Sequence, residues 1–533
     1  MNTSCAVSAA AKAASKPTVI GYVTDIEGDR YFWDNYLKIS RILSVEREAD
    51  DGNVVDISLK DGCHFVFGGD VNDQCDGDLY VVEQLVKLKR KYPNRVHFIL
   101  GNRDMNKLRL VQELSEAHME KYPWDDYPGT FWTKIFFKES PKDTVARLGI
   151  QGDPSPHDRV ERLKWILSCT MGSGNAFELR RVELTKLKEA ENGVATDEEV
   201  YNSFVDNLKP DGIFAEYLKC GSLALVLNDT LFVHGAIDER SLGWNPERPD
   251  YREKDIVEWA GKLNAFAARE IKKCLEEGPE EIKKDADAWA MVGGYREASC
   301  WNILQYGMGW LPTRERNQTV VYNDWRGTQD LVPALPSSAI VKDLQNHGIN
   351  RIITGHKPDG DAPLVVANES NTFHVIAADT SYSNDTVWLN QSVAPKPDEP
   401  AQMGAEQQIK ARLAEIQKSA KAVVTDGKSR HDARRGAAVS EILIHPPGGG
   451  EGATGEYSTV EIHGILSSGD AFEAIIEHGN EGNLIGKKVE GDRFVKCQLC
   501  NSTKMLVSHS VKWNVYNELL ERHEVEKMVG KKE

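Results

Sequence analysis

The chain has 533 residues, of which 40% are hydrophobic, and its formal net charge is -17. This length exceeds one ordinary core and predicts a large domain with insertions, or two or three domains. The negative charge opposes attraction to nucleic acid and to anionic lipid, which bind basic surfaces, and no apolar run reaches the roughly 18 residues that span a bilayer. The composition therefore predicts a soluble protein without a nucleic-acid or membrane partner.

The first segment, residues 1–17, is rich in Ala and Ser and contains Lys12 and Lys16 but no Arg. It predicts a flexible tail, is unlike a secretory signal and only weakly resembles an organelle transit peptide, so organelle targeting stays open. The nine cysteines are mostly isolated, which is typical of a reduced intracellular protein, and we expect a cytoplasmic location. Cys497 and Cys500 form the one C-x-x-C pair; without a second ligand pair nearby, we interpret them as two thiols near a strand.

Five apolar, strand-like runs each end on polar residues. The helical spacing of residues 79–92 places a helix between the second and third runs, and a right-handed crossover makes those two strands parallel. Turn formation explains any one polar block, but turns do not require the His residues that follow the fourth and fifth runs. Because the carboxyl ends of neighbouring strands share one sheet edge, we expect the blocks to converge. They are Asp25-x-Glu27, Gly69-Asp70-x-x-Asp73, Gly101-Asn102-Arg103-Asp104, His234-Gly235 and Gly355-His356.

The rest of the chain divides into insertions and a C-terminal extension. Residues from about 105 to 220 and from about 250 to 300 have helical patterns, and we expect these insertions to form walls or a cap. Residues 395–438 are rich in Pro, Gln, Ala and Lys and predict an exposed linker or insertion, whose basic run 428–435 is typical of a solvated charge cluster. Residues 439–533 predict β structure, including a hairpin around Ser467-Ser-Gly-Asp470.

In order and spacing, the five blocks resemble those of calcineurin-like metallophosphoesterases, nearest to the phosphoprotein phosphatase and diadenosine-tetraphosphatase branch, over residues 18–390. The resemblance implies an α/β fold, a β-sandwich flanked by helices, with 18–394 as catalytic domain, and we expect the β-rich extension 439–533 to pack on it. It also implies hydrolysis of a phosphate monoester, in a phosphoprotein or a small metabolite, by metal-activated hydroxide. A nucleotide-polyphosphate hydrolase, a phosphodiesterase and a catalytically weak phosphate-binding scaffold are the alternatives. The oligomeric state is left open.

The resemblance further implies two divalent metal ions that share one carboxylate. Oxygen and imidazole ligands suit Mn, Fe, Zn or Mg, and the sequence does not choose among them. The first ion would be held by Asp25, Glu27 and Asp70, and the second by Asp70, Asn102, His234 and His356.

Two departures from the family pattern concern the ligands and the proton donor. Glu27 stands where the family usually has His, with Asp29 as a rival ligand. Arg103 replaces the His that serves as proton donor; an Arg stays charged, but it can stabilise negative charge on the phosphate or the leaving oxygen. We therefore expect Asp73 to pair with Arg103 and assign catalytic roles to Asp73, Arg103 and Asp104.

A third departure concerns the phosphate grip. The family's Asp-Arg-Gly reads Asp73-Gln74-Cys75 here, so the predicted substrate-binding residues are Arg103, Lys107 and Arg109, at the start of a predicted helix. Lys107 and Arg109 fit an ordinary solvated helix face equally well. Asp379 or Tyr382, after a sixth strand, would hydrogen-bond a metal-binding His or simply form a turn.

Overall fold

The computed structural model describes residues 17–49, 54–121, 158–188, 193–277, 300–309, 319–326, 332–383, 386–388, 435–448, 456–511 and 514–529. Parts of both predicted helical insertions and nearly all of the predicted 395–438 linker lie outside these ranges.

The largest sheet is mixed and has twelve strands among the described residues. They are β1 Val19–Val23, β4 Cys63–Phe67, β5 Val96–Ile99, β6 Gly221–Ser222, β12 Val387–Trp388, β13 Val439–His445, β14 Thr459–Ile465, β15 Ala471–Ile476, β16 Lys488–Val489, β17 Arg493–Leu499, β18 Lys504–Val511 and β19 Asn514–Glu521. The first part of the sheet is parallel, because β1, β4, β5 and β6 pair in that sense, as expected for the second and third runs. Its C-terminal part is mostly antiparallel, and β13 pairs with β1 directly.

A second sheet has five strands, and a hairpin of two strands stands apart. The strands of the second sheet are β7 Ala224–Leu227, β8 Thr230–Val233, β9 Arg351–Thr354, β10 Leu364–Ala367 and β11 His374–Ala377, and the hairpin is β2 Leu43–Glu48 with β3 Val54–Leu59. The order in the second sheet is β10-β11-β9-β8-β7. Its three central strands, β11, β9 and β8, run parallel to one another.

The two larger sheets pack face to face around a shared apolar core. Alternation along β1 sends Ile20 and Tyr22 into the same core as Phe232 and Ile353 of the second sheet. The rings of Tyr22 and Phe232 stack across this interface at 5.7 Å between centroids. Val23 instead joins the core under the helices. The fold is thus α/β, with two sheets, flanking helices and a strand-rich C-terminal region, as predicted.

Helices cover the outer faces and fill the insertions. The segment between β4 and β5 is helical over Asp78–Lys91, which confirms the helix predicted there. The other helices are Arg30–Ile39, Asn102–Asn106, Leu108–Glu113, Glu116–Lys121, Arg159–Trp165 with a π-helical turn at Ile166–Thr170, Ala176–Leu187, Asp197–Asp206, Ile213–Lys219, Ile256–Glu277, Trp301–Gly307, Ser338–Asn346 and Arg522–Val529.

The C-terminal region continues the larger sheet. Strands β14 and β15 pair antiparallel on either side of residues 466–470, which confirms the predicted hairpin. Glu441 on β13 accepts hydrogen bonds from Tyr36, Ser40 and the Arg41 amide near the other end of the chain. The assignment of 439–533 as a separate extension stays a prediction.

The cysteines do not all stand alone. Cys274, in the helix Ile256–Glu277, and Cys300, just before the helix Trp301–Gly307, form a disulfide with their Cα atoms 4.5 Å apart. The expectation of isolated thiols is wrong for this pair, because the two helices bring residues 26 positions apart together. Among the described residues, no helix is long and apolar enough to cross a membrane.

Candidate functional site

The carboxyl ends of strands from both sheets meet at one edge of the sandwich. Asp25 follows β1 and His356 follows β9 of the other sheet, and the His356 amide donates to Asp25 Oδ2 at 3.1 Å. Asp70 follows β4 and His234 follows β8, and Asp70 Oδ1 lies 3.4 Å from His234 Nε2. The structure therefore brings together residues that are more than 300 positions apart.

The backbone is strained at this edge. Asp25, Glu27, Asp70, Asp73 and His356 have positive φ angles of 54°, 49°, 53°, 116° and 75°. Non-glycine residues rarely adopt this region, and such strain gathers at functional sites where the surroundings enforce it. Of these residues, Glu27, Asp70 and His356 line the cavity at this edge.

Two glycines make the close approach between strands possible. A Cβ at Gly101 would lie 2.0 Å from Asp70 Oδ1, and a Cβ at Gly355 would lie 2.0 Å from Asp25 Oδ2. Any side chain at either position would displace a predicted ligand.

Ligand atoms of Asp70, His234 and His356 all lie within 4.8 Å of one another. His234 Nδ1 is 2.9 Å from the Gly68 carbonyl, so that nitrogen donates and Nε2 is the ring nitrogen that faces the site. Asn102 Oδ1 is 3.2 Å from His234 Nε2, and the same end of the carboxamide is 2.8 Å from His356 Nδ1. Four side chains that can each bind a metal through oxygen or nitrogen thus surround one point, and a divalent cation there would displace the proton between His234 Nε2 and Asp70.

The electrostatics of this cluster also favour a cation. Burial alone would lower the pKa of His234, but the Asp70 carboxylate, with Asp25 behind it, raises this pKa to about 10. Burial, reinforced by the positive charge of Lys357, holds the pKa of His356 well below its usual range. The negative field that stabilises a positive charge on His234 would equally attract a metal ion.

The carboxylates predicted to hold the first ion, Asp25 and Glu27, bind donors within the protein. Glu27 Oε2 accepts from Arg435 Nη1 at 2.6 Å, and Glu27 Oε1 is paired with Arg103 Nε. Asp25 accepts from the Thr24 hydroxyl at 2.6 Å and from the His356 amide. Among the described residues, Asp25 and Glu27 therefore do not converge with Asp70 as open ligands.

The rival ligand Asp29 is occupied as well. Its Oδ1 caps the helix Arg30–Ile39 by accepting from the Phe32 amide at 3.0 Å, and its Oδ2 accepts from Arg435 Nε at 3.1 Å. Asp29 thus orients a helix and an arginine.

Arg103 lies at the centre of a carboxylate network. Its Nη1 is 3.6 Å from Asp73 Oδ2 and its Nε is 3.7 Å from Asp70 Oδ2, in addition to the contact with Glu27. The expected contact between Asp73 and Arg103 is present, but Lys107 Nζ is nearer, at 2.6 Å from Asp73 Oδ1. Asp73 is held mainly by Lys107.

Asp104 faces the backbone. Its carboxylate accepts from the amides of Asp70, Val71 and Gly101 at 3.0, 2.9 and 2.8 Å. Burial, with the Asp70 charge adding to it, raises the pKa of Asp104 to about 6. Asp104 clamps the two loops that carry Asp70 and Asn102, so the structure supports a positioning role for it.

The structure does not support substrate binding by Lys107 or Arg109. Lys107 is 2% exposed and bonded to Asp73. Arg109 is fully buried and bonded to Glu113 and Thr170, because the helix Arg159–Trp165 and its π-helical turn cover this face. Neither side chain is exposed to solvent.

A cavity of about 300 Å³ opens over the cluster. Arg103 is the only one of the three predicted catalytic residues that lines it, and Arg326 and Lys357 add further positive charge. The described lining residues are Glu27, Asp70, Asn102, Arg103, Tyr322, Arg326, His356, Lys357, Pro358, Gly360, Asp379, Tyr382, Thr386 and Val515.

Sequence reasoning missed Arg326, Lys357 and Arg435. Lys357 follows His356 directly, so its position after a strand was a usable signal. Arg435 ends the basic run that was predicted to be solvated, yet its side chain is 1% exposed; that prediction is wrong at this residue, because Glu27 and Asp29 bind it. Asp379 Oδ1 accepts from the Ser381 amide and hydroxyl, which favours the turn role.

Comparisons with known proteins find similarity to solved structures at low sequence identity. No family model and no curated protein matches the sequence. Among solved structures, the chain is similar to a point mutant of a cold-active protein tyrosine phosphatase, with 14% identity, a TM-score of 0.35, and coverage of 86% of this chain and 81% of that one. It is also similar to a protein serine/threonine phosphatase from Saccharomyces cerevisiae, described as similar to human phosphatase PP5, with 12% identity, a TM-score of 0.27 and 70% coverage of each chain. Both TM-scores lie below 0.5, so neither likeness carries an argument about activity.

Proposed function

We propose that this protein is a metal-dependent phosphoesterase that hydrolyses a phosphate monoester, in a phosphoprotein or a small metabolite. One observation carries the proposal: Asp70, Asn102, His234 and His356 converge beside the Arg103 guanidinium in one cavity. This combination offers a cation site and a permanent positive charge to the same phosphate.

The residues of the chain divide the work of such a reaction. Arg103, one fifth exposed, would hold phosphate oxygens and stabilise their charge as the ester bond breaks. Lys357 and Arg326 make the cavity attractive to an anion. A divalent ion bound by the four ligands would supply Lewis-acid activation of the phosphate and of water.

The size of the cavity favours a monoester over a dinucleotide polyphosphate. Its 300 Å³ lies at the lower end of the range of small-molecule sites. This volume suits a phosphate group with a short stem, such as a phosphorylated side chain, with the rest of the substrate outside.

The first prediction tests the ligand role of Asp70. In a panel of phosphate monoesters, diesters and nucleotide polyphosphates with Mn²⁺, Mg²⁺, Zn²⁺ or Fe²⁺, we expect Asp70→Asn to lower kcat/KM for monoesters by at least about 100-fold. Bound metal, measured by mass spectrometry, should fall in parallel. Asp206→Asn, which changes an exposed carboxylate, is the matched control.

Two outcomes would contradict this proposal. Faster turnover of diesters or polyphosphates than of monoesters would show that the substrate is not a phosphate monoester. A metal-loaded protein that binds inorganic phosphate but cleaves no ester in the panel would be a phosphate-binding scaffold.

A further inference from the structure

The two predicted metal positions differ in what surrounds their ligands. At one position, the end of the Asn102 side chain lies 3.2 Å from His234 Nε2 and 2.8 Å from His356 Nδ1, and Asp70 Oδ1 lies 3.4 Å from His234 Nε2. His234 Nδ1 donates to the Gly68 carbonyl, so Nε2 is the ring nitrogen that faces the other three side chains. A divalent cation that binds all four side chains would replace these contacts.

Around Asp25 and Glu27, protein donors already occupy every carboxylate oxygen. The His356 amide approaches both oxygens of Asp25, at 3.2 and 3.1 Å, and the Thr24 hydroxyl donates to one of them. Glu27 has one oxygen on Arg103 and the other on Arg435. Each oxygen of these two carboxylates therefore accepts at least one hydrogen bond or ion pair from the protein, and both oxygens of Glu27 face an arginine.

Arg435 is built into this position. Besides Glu27 and Asp29, its guanidinium donates to the carbonyl oxygens of Asp25 and Ile26. These contacts wrap the strained loop after β1, and they leave the side chain almost wholly buried. Arg435 does not line the cavity, so its role there is to position Glu27 and the loop.

The charges complete the argument. A guanidinium keeps its proton at all accessible pH values, so Arg103 and Arg435 each carry a fixed positive charge. Together they supply the charge of one divalent ion, on the side of Asp70 where a second ion would bind. A metal ion there would meet two fixed positive charges, one of them almost wholly buried, where water screens charges poorly.

We propose, on the basis of the function proposed above, that the site binds one divalent ion, at Asp70, Asn102, His234 and His356, and that Arg103 and Arg435 take the place of a second. The two-ion arrangement implied by the family resemblance does not fit the residues at the first position. Arg103 then contacts substrate directly, whereas Arg435 acts through Glu27.

The test is the number of metal ions per full-length chain. Titration with Mn²⁺, followed by mass spectrometry after desalting, should give one ion, and the electron paramagnetic resonance spectrum should be that of isolated Mn²⁺. Glu27→Gln should keep one ion per chain, because Glu27 is not a ligand. Two ions in the wild type with an exchange-coupled spectrum, or loss of an ion in Glu27→Gln, would overturn the inference.

A gain of binding provides a second readout. Removing both guanidiniums in Arg103→Met/Arg435→Met should raise the count from one ion to two, and Glu27→Gln in that background should return it to one. Arg240→Met/Arg522→Met, at two exposed arginines, is the matched control and should stay at one. A double variant that folds and still binds one ion would contradict the proposal that the two arginines take the place of a second metal ion.

The outcomes separate the two proposals. Two ions with full hydrolysis of monoesters would overturn this inference and leave the proposed function standing. One ion, with no ester in the panel cleaved, would leave the inference standing and overturn the proposed function. No bound ion would overturn both.

Discussion

Arg103 brings a positive charge to the cavity directly beside the metal-ligand cluster. It contacts Glu27, Asp70 and Asp73 but keeps one fifth of its side chain exposed. Asp73 is neutralised by Lys107, and Glu27 by Arg435. These carboxylates orient the Arg103 guanidinium. Because Asp73 and Glu27 each have another cationic partner, the charge of Arg103 is available to an anion in the cavity.

The second activity prediction concerns Arg103 itself. Arg103→Met should lower kcat/KM by about 100-fold through kcat, and Arg103→Lys should recover part of the loss, because Lys keeps the charge without the fork. Arg240→Met is an exposed control. Steady-state kinetics measure both constants. A large gain of activity in Arg103→His would show that the role assigned to Arg103 is wrong.

Residue types after strands could be read from the sequence, but their partners could not. The polar blocks were visible because each follows an apolar run. The bond between Glu27 and Arg435 joins residues 408 positions apart, and no local pattern specifies it. Likewise the burial of Arg109 depends on Thr170, which belongs to an insertion whose packing the sequence does not encode locally.

At the scale of elements, the insertion helices hold the helix that follows the Asp70 loop. The helix Asp78–Lys91 begins at Gly77 without a side-chain cap of its own. Glu183, from the helix Ala176–Leu187, accepts from the Tyr80 amide at 2.9 Å, and Arg180 donates to Asp78 at 3.0 Å. A carboxylate at the start of a helix accepts hydrogen bonds from the free backbone amides and interacts favourably with the positive end of the helix dipole.

The burial of the Glu183 carboxyl group predicts a pH dependence of stability. Burial raises the pKa of Glu183 from 4.5 to about 7, against the lowering effect of Arg180. A raised pKa in the folded state means that the contribution of Glu183 to stability is full below pH 4.5 and is lost as pH rises through 7. Glu183→Gln should remove this loss, which is roughly 2 to 3 kcal/mol.

Urea unfolding at pH 5 and pH 8 measures the difference. The wild type should lose more stability between these values than Glu183→Gln does. Glu198→Gln, at an exposed carboxylate in the helix Asp197–Asp206, is the matched control and should follow the wild type. Equal pH dependence in the wild type and Glu183→Gln would show that Glu183 titrates normally.

Element types were more predictable than element neighbours. The helix at Asp78–Lys91 and the hairpin of β14 and β15 followed from apolar spacing and a turn sequence. The pairing of β13 with β1 did not, because it aligns Ile20 with Ile444 across most of the chain. Strand pairing at this separation depends on tertiary packing, which one sequence does not display.

At the scale of the whole molecule, the N-terminal and C-terminal regions share one sheet and one core. Strand β1, which carries Asp25 at its end, is hydrogen-bonded on one side to β4 and on the other to β13. Val515 of β19 lines the cavity, and Arg435 precedes β13. The site is therefore assembled from both ends of the chain.

This continuity predicts that damage to the C-terminal strands is felt at the site. Ile444 is fully buried in the core between the sheets, so Ile444→Ala should cost about 2 to 5 kcal/mol of unfolding free energy. Ile475→Ala, 48% exposed on β15, should cost less than about 0.5 kcal/mol. Thermal unfolding followed by near-ultraviolet circular dichroism and by release of bound Mn²⁺ should give coincident midpoints that shift together in Ile444→Ala. If Ile444→Ala lowered the first midpoint and left metal release unchanged, residues 439–533 would unfold as a separate domain, because the site would then survive the loss of the strand beside β1.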